Sequence, residues 1–369
     1  MKDERAHLQL FDLIAREWTL PAVATQVVFN TADSVVAFAC ADGSIHLAAT
    51  ADKEAPNARV RRAADTGRLT ISPRAKPVAP LKTADFTEGR STGVVPHGAN
   101  NLAFGKTTGR INTLTPGGTA VHLACRASAA LQAVAATPDG EIVALASGAD
   151  IHIGPAKADT ARTLRAAGPI TALAFSPDGL TLAAAHEGGV SRWTLSALDQ
   201  APLQTPLDST PIDIAWRADG NWLICCMATD GFCTIEAAGT VAVSHGSFPS
   251  PVRSATFSTP TDSAVASGAF RVAAWSLDGE NRDLVSGKAG LVLIDAIAAS
   301  PSRNLVAVGY ANGLLSLAEI GRRDEILLRE DTGSGITAMA WSRNGSFLAL
   351  AGADGSAALV EFPDSMFKS

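Results

Sequence analysis

A segment of about 42 residues recurs eight times along this chain, and that recurrence constrains the fold more than any other property. The clearest copy reads Ile170-Thr-Ala-Leu-Ala-Phe175-Ser-Pro-Asp-Gly179, then Leu182-Ala-Ala-Ala, then Gly189-Val-Ser-Arg-Trp193. The same order returns at 212–220, 222–227 and 231–235, and again at 336–345, 347–350 and 355–360. The residue closing the first segment of each unit is Phe29, Ile71, Ala136, Phe175, Trp216, Phe257, Ala299 and Trp341. Their spacings are 42, 65, 39, 41, 41, 42 and 42, so one interval carries an excess of about 23 residues.

Within each unit apolar and polar residues alternate over short runs. That is the period of a strand and not of a helix. The first turn is Ser-Pro-Asp-Gly at 176–179, Thr-Pro-Asp-Gly at 137–140 and Ser-Arg-Asn-Gly at 342–345. Proline presets φ in such reversals, and Gly or Asn accepts positive φ. The second turn is Asp42-Gly43, Asp230-Gly231, Asn312-Gly313 or Asp354-Gly355, a strong hairpin signal. Each unit therefore reads as three strands, a, b and c, followed by a more polar strand d, for example at 162–166 and 325–329.

Four antiparallel strands repeated at this period describe a propeller blade. One blade cannot cover both of its own faces, so the eight units are expected to form one all-β domain over residues 1–369, with seven blades as the alternative count. The last unit has too little chain after 357–362 for its own strand d. The segment 16–20 is expected to supply it and close the ring, with Trp18 as a packing residue. The excess is placed near 74–98, between a strand a at 67–72 and a strand b at 101–105 of the second unit. An insertion in the preceding connection is the alternative, because 92–98 also resembles the end of a strand a.

These motifs resemble the WD-repeat (tryptophan–aspartate) β-propeller family over nearly the whole chain. The resemblance rests on Phe-Ser-Pro-Asp-Gly at 175–179, the Asp-Gly turns, and Trp193 and Trp275 at the end of strand c. The family's Asp after that Trp is absent, since Thr194 and Ser276 follow, and no Gly-His dipeptide precedes strand a. The hydrogen-bond tetrad typical of the family is therefore expected to be missing. The resemblance implies a scaffold that binds another protein through loops on one face, where the d–a connections and b–c turns meet. The residues expected near that rim are Gln132, His186, Glu187, Arg253, Asp295 and Tyr310.

Composition narrows the alternatives. Charged residues are 18% of the chain and hydrophobic ones 47%, which excludes a disordered or coiled-coil chain. Net charge is −6, which argues against a basic nucleic-acid-binding body. The charge is unevenly spread, however. Residues 59–82 hold Arg59, Arg61, Arg62, Arg68, Arg74, Lys76 and Lys82 against Asp65 alone, so this segment is +6 and the rest −12. It is either a solvated edge or a patch for RNA or another acidic partner, and it has no aromatic residue on which bases could stack.

Catalytic signatures are sparse. Gly105-Lys106-Thr107 lacks the earlier glycine of a phosphate loop, and His186-Glu187 lacks a second histidine at metalloprotease spacing. His46 and His152 fall at equivalent strand c positions, which reads as structural. Cys225 and Cys226 are adjacent on a strand and face opposite ways, so they do not share a metal. Cys40, Cys125 and Cys233 complete an odd set of cysteines in apolar stretches, read as reduced thiols of a cytoplasmic protein. No secretory leader or apolar spanning run is evident. The expectation is a non-enzymatic protein with no cofactor and no metal, without membrane contact, and binding one or more proteins.

Overall fold

The structure is a computed structural model that describes residues 9–62, 69–85, 90–127, 129–229, 231–279 and 282–367. It contains eight antiparallel sheets in chain order around a central channel, each with strand a innermost. Blade 1 holds Ala24–Phe29, Val35–Cys40, Ile45–Ala49 and Lys82–Thr83. Blade 4, the most regular, holds Ile170–Phe175, Thr181–His186, Gly189–Thr194 and Leu203–Pro206. Among the described residues blade 6 has three strands, with isolated bridges from Val272 to Ser286 and from Trp275 to Asp283 beyond the third.

Period-two alternation explains how the blades cohere. In strand b of blade 1 all six residues are buried. Val35, Ala37 and Ala39 pack toward blade 2, while Val36, Phe38 and Cys40 pack toward blade 8. Eight apolar clusters result, each formed mainly by two neighbouring blades, and together they run once around the ring. The alanine richness has a structural cause here. Leu182 and Ala184 face one neighbour and Ala183 and Ala185 the other, so small side chains let sheets approach on both sides. Tight turns reinforce this. Gly140 has φ +74, and a Cβ there would stand 2.6 Å from the Gly98 nitrogen of the preceding blade.

Closure follows the expected route. Ala15–Thr19 pairs antiparallel with Ser356–Glu361 and completes blade 8, with Ala15 opposite Val360 and Thr19 opposite Ser356. The preceding helix Leu10–Ile14 plugs Phe11 and Ile14 into the cluster between blades 7 and 8. Trp18 packs against Phe38 at 6.4 Å, and its indole donates to the Ala79 carbonyl at 2.8 Å.

The placement of strand a in blade 2 is corrected. That strand is Ser91–His97, paired with Asn101–Lys106, and Pro96 occupies the place assigned to Ile71. The long interval is 67 residues, from Phe29 to Pro96, and the extra chain at 50–81 lies between strands c and d of blade 1. Leu69–Ile71 instead pairs with Val60–Arg62 in a separate hairpin within this insertion. The apolar run there mimics a blade strand, whereas Gly93 and Pro96 disguise the true one. Proline is tolerated because strand a is an inner edge and owes no ladder bond on its channel side.

The insertion is strapped across the closing seam, and its basic residues do much of the strapping. Arg59 is 8% exposed and donates to the carbonyls of Glu54 (2.8 Å), Ser72 (2.5 Å) and Leu13 (2.6 Å). Arg74 pairs with both Asp52 oxygens at 2.5 and 3.1 Å. Arg16 of the closing strand donates to the carbonyls of Ala49 and Thr50. The patch expected from the sequence is therefore only partly available to a partner. Arg61, Arg62, Lys76 and Lys82 are exposed, while Arg68 lies outside the described residues.

Candidate functional site

The loop face is built from one repeated position. Four residues before the one that closes strand a, the eight blades present Thr25, Thr92, Gln132, Thr171, Ile212, Arg253, Asp295 and Thr337. In six of the eight blades the residue sits where the register shifts by a bulge, which turns its side chain out of the ladder. Two of the threonines are used as fasteners. Thr171 donates to the Pro211 carbonyl at 2.5 Å and Thr337 to the Ala24 carbonyl at 2.7 Å, each in the next blade. Blades 5, 6 and 7 break that pattern consecutively with Ile212, Arg253 and Asp295.

Around these three the face changes character. Ile212 is 46% exposed and Phe270, in the b–c turn of blade 6, is 41% exposed. Leu291, in the connection from blade 6 to blade 7, is 96% exposed. The two loops touch, since the Gly290 N–H donates to the Phe270 carbonyl at 3.1 Å. Arg253 is exposed, and Asp295 is half-buried with its carboxyl pushed up by burial against the opposing Arg253 charge. The sequence analysis named Arg253 and Asp295 as rim residues and did not name Ile212, Phe270 or Leu291. The available signal was the loss of threonine at 212 and of an Asp-Gly or Asn-Gly pair around 270.

The other rim residues divide. Gln132 and Glu187 are exposed, and the Gln132 side-chain oxygen accepts from the Gly148 N–H at 2.5 Å. His186 and Tyr310 are not rim residues but occupy equivalent, buried ends of strand b, 1% and 7% exposed. The His186 ring lies 2.7 Å from the Ser191 hydroxyl, which donates to Gln204 at 3.0 Å. The Tyr310 hydroxyl donates to Glu325 at 3.1 Å, and Ser316 donates to the same carboxylate oxygen at 2.7 Å. Each network ties strands b, c and d of one blade, and burial pushes the Tyr310 phenol well above its ordinary range.

No cluster of three or more His, Cys, Asp or Glu side chains stands ready for a metal among the described residues. The five cysteines are free and buried, and Cys225 and Cys226 fall in different interblade clusters. Burial pushes the Cys125 thiol up to about 11, away from the thiolate that a nucleophile needs.

A separate polar group sits between blades 5 and 6. His245 is 6% exposed, stacked on Phe232 at 4.5 Å and tilted against Trp275 at 4.8 Å. Burial lowers its pKa to about 4. The folded chain thus resists protonation at a site that titrates near 6.5 once unfolded. Stability is full above pH 6.5 and is lost as pH falls toward 4, by about 2 kcal/mol from this group. Denaturant titrations at pH 7.5 and 4.5 check this. The loss between them should shrink by roughly that amount in His245→Gln, and an equal loss in both proteins refutes the assignment.

The second opening is the far mouth of the central channel, on the side of the a–b turns. A cavity of about 570 Å³ is walled there by Phe29, Phe175, Trp216, Phe257 and Trp341. A second cavity of about 560 Å³ overlaps it, sharing Trp341 and Arg343, and extends to Asp213 and Ser254.

Comparison with known proteins agrees with this geometry. The family model "WD domain, G-beta repeat" matches residues 159–194 and 326–359, which fall mainly in blades 4 and 8. No curated protein sequence matches the chain. Among solved structures, the computationally designed Ika8 protein superposes with a TM-score of 0.69 at 19% identity, covering 96% of this chain and all of that one. The C-terminal WD40 domain of Sif2 gives 0.66 at 14% identity, covering 96% and 99%. At these identities the structural likeness establishes the fold, and the family model adds a likeness confined to two of the repeats. The chain is an eight-bladed β-propeller, two of whose blades are similar to the WD, G-beta repeat.

Proposed function

We propose that this chain is a non-catalytic scaffold that holds a protein partner on the loop face above blades 5, 6 and 7, in the reducing cytoplasm. The observation that carries the reading is the exposure of Phe270 and Leu291 on two touching loops next to Asp295 and its neighbour Arg253, with exposed Ile212 at the equivalent position of the preceding blade. A nearly fully exposed leucine is unfavourable in water, and an apolar centre rimmed by charges is the anatomy of an interface. Loops on a rigid scaffold are where recognition concentrates. Free cysteines and the absence, among the described residues, of a helix long and apolar enough to cross a membrane are compatible with this setting.

The double substitution Phe270→Asp with Leu291→Asp tests it. Both side chains are exposed, so the melting temperature should stay within about 2 °C. Recovery of a stoichiometric partner by the tagged chain should fall at least tenfold. Leu180→Asp, on the opposite face and 61% exposed, is the control and should recover the partner normally. Equal recovery by the double variant removes this face as the docking site.

A further inference from the structure

We propose that the channel mouth opposite the loop face is a binding site for an acidic peptide segment carrying an aromatic side chain. The eight positions that close strand a form its collar, and five of them are aromatic: Phe29, Phe175, Trp216, Phe257 and Trp341. The fold does not require this, because Ala136 and Ala299 fill the same position in blades 3 and 7. Nor are the indoles loose. Trp216 donates to the Ala174 carbonyl at 3.1 Å and Trp341 to the Ala298 carbonyl at 2.9 Å, each on the preceding blade. Trp341 also stacks on Phe362 at 5.1 Å. With their N–H groups satisfied, the rings present preorganised apolar walls, half-buried, at low entropic cost to a ligand.

Charge selects the ligand. Arg217 is committed, paired with Asp262 and lying 3.4 Å from Asp219. Arg343 is not. Its backbone N–H is tied to Asp33 at 2.8 Å, which fixes the turn, but its guanidinium has no partner among the described residues. Arg343 lines both cavities. Asp213 is exposed on its strand and lines only the second cavity, away from the collar itself. An exposed, unpaired guanidinium at the edge of the aromatic collar favours a carboxylate, which it can grip bidentately. Two overlapping spaces of about 570 and 560 Å³, open at the mouth, suit a short extended segment and exceed one aromatic acid.

The test is selection from a pool of N-acetylated random hexapeptides on the immobilised full-length chain. Selected peptides should be enriched in Asp or Glu together with Trp, Tyr or Phe, and should quench tryptophan fluorescence when titrated singly. Arg343→Glu should weaken the best of them at least tenfold, as should raising salt from 150 to 500 mM to a smaller degree. Arg343→Gln, which removes the charge without reversing it, guards against misfolding of the first variant and should weaken binding severalfold. Phe270→Asp with Leu291→Asp should leave this binding unchanged, so its outcome is separate from that of the loop face. No acidic–aromatic enrichment over the starting pool, or binding indifferent to both Arg343 variants, overturns the proposal. Phenylacetate bound as tightly as the peptides overturns the assignment of a peptide.

Discussion

A chain lacking residues 1–20 should fail to close its ring. The deletion removes Ala15–Thr19 and leaves all of Ser356–Glu361 as an unpaired edge. It also strips Phe11, Ile14 and Leu20, respectively 1%, 2% and 5% exposed, from two interblade clusters. At about 1.5–3 kcal/mol for each buried side chain, the loss is at least about 5 kcal/mol before the ladder bonds are counted. The insertion loses its anchors at the same time. Arg59 no longer reaches the Leu13 carbonyl, Ala79 loses the Trp18 indole, and the Ala49 and Thr50 carbonyls lose Arg16. The melting temperature should drop by about 10 °C or more, and the open edge should drive association through strand pairing. Thermal melts and size-exclusion profiles of the two chains decide the matter. Unchanged melting together with a monomeric profile contradicts the closing role.

That closure was legible in the sequence because it is a matter of counting. A unit short of one strand at one end of the chain and a spare strand-like segment at the other end complement each other. Blade number, strand order and the turns were legible for a similar reason, since period-two alternation and Asp-Gly signals are local. Two classes of feature were not. The first is identity of register inside an irregular stretch: 69–71 and 91–97 are both short and partly apolar, and only pairing distinguishes a stray hairpin from a blade strand. The second is exposure. Tyr310 and His186 stand beside turns, as rim residues do, yet both side chains turn inward toward strand d of their own blade. Conversely Leu291 sits in an apolar stretch that reads as buried, and its position beside Phe270 depends on two loops whose contact no spacing records. The charge asymmetry at 59–82 was real in the sequence. Its meaning depended on Asp52 and Glu54, acids just outside the segment that hold Arg74 and the Ala75 and Lys76 backbone.

Tyr310→Ala should be the most damaging single substitution among the residues that sequence reasoning placed on the rim. An exposed rim tyrosine could be truncated at little cost to stability, but this one is 7% exposed and packs in the cluster between blades 6 and 7. Loss of its ring leaves a void next to Val265, Val272 and Ile294 and costs about 3–5 kcal/mol. The hydroxyl adds a distinguishable part. Glu325 accepts from Tyr310, from Ser316 at 2.7 Å and from the Lys288 N–H at 2.7 Å, so it ties strands b, c and d to the connection that carries Leu291. Tyr310→Phe keeps the ring and removes one of those donors, which should cost about 1–2 kcal/mol. Both variants should shift the denaturant midpoint in that order without changing the slope. Because Lys288 lies only a few residues before Leu291, amide exchange across 288–293 should also quicken in Tyr310→Ala more than in Tyr310→Phe. Tyr310→Ala with an unchanged midpoint returns the residue to the surface. A full loss in Tyr310→Phe would instead place the stabilisation in the hydroxyl network rather than in the packed ring.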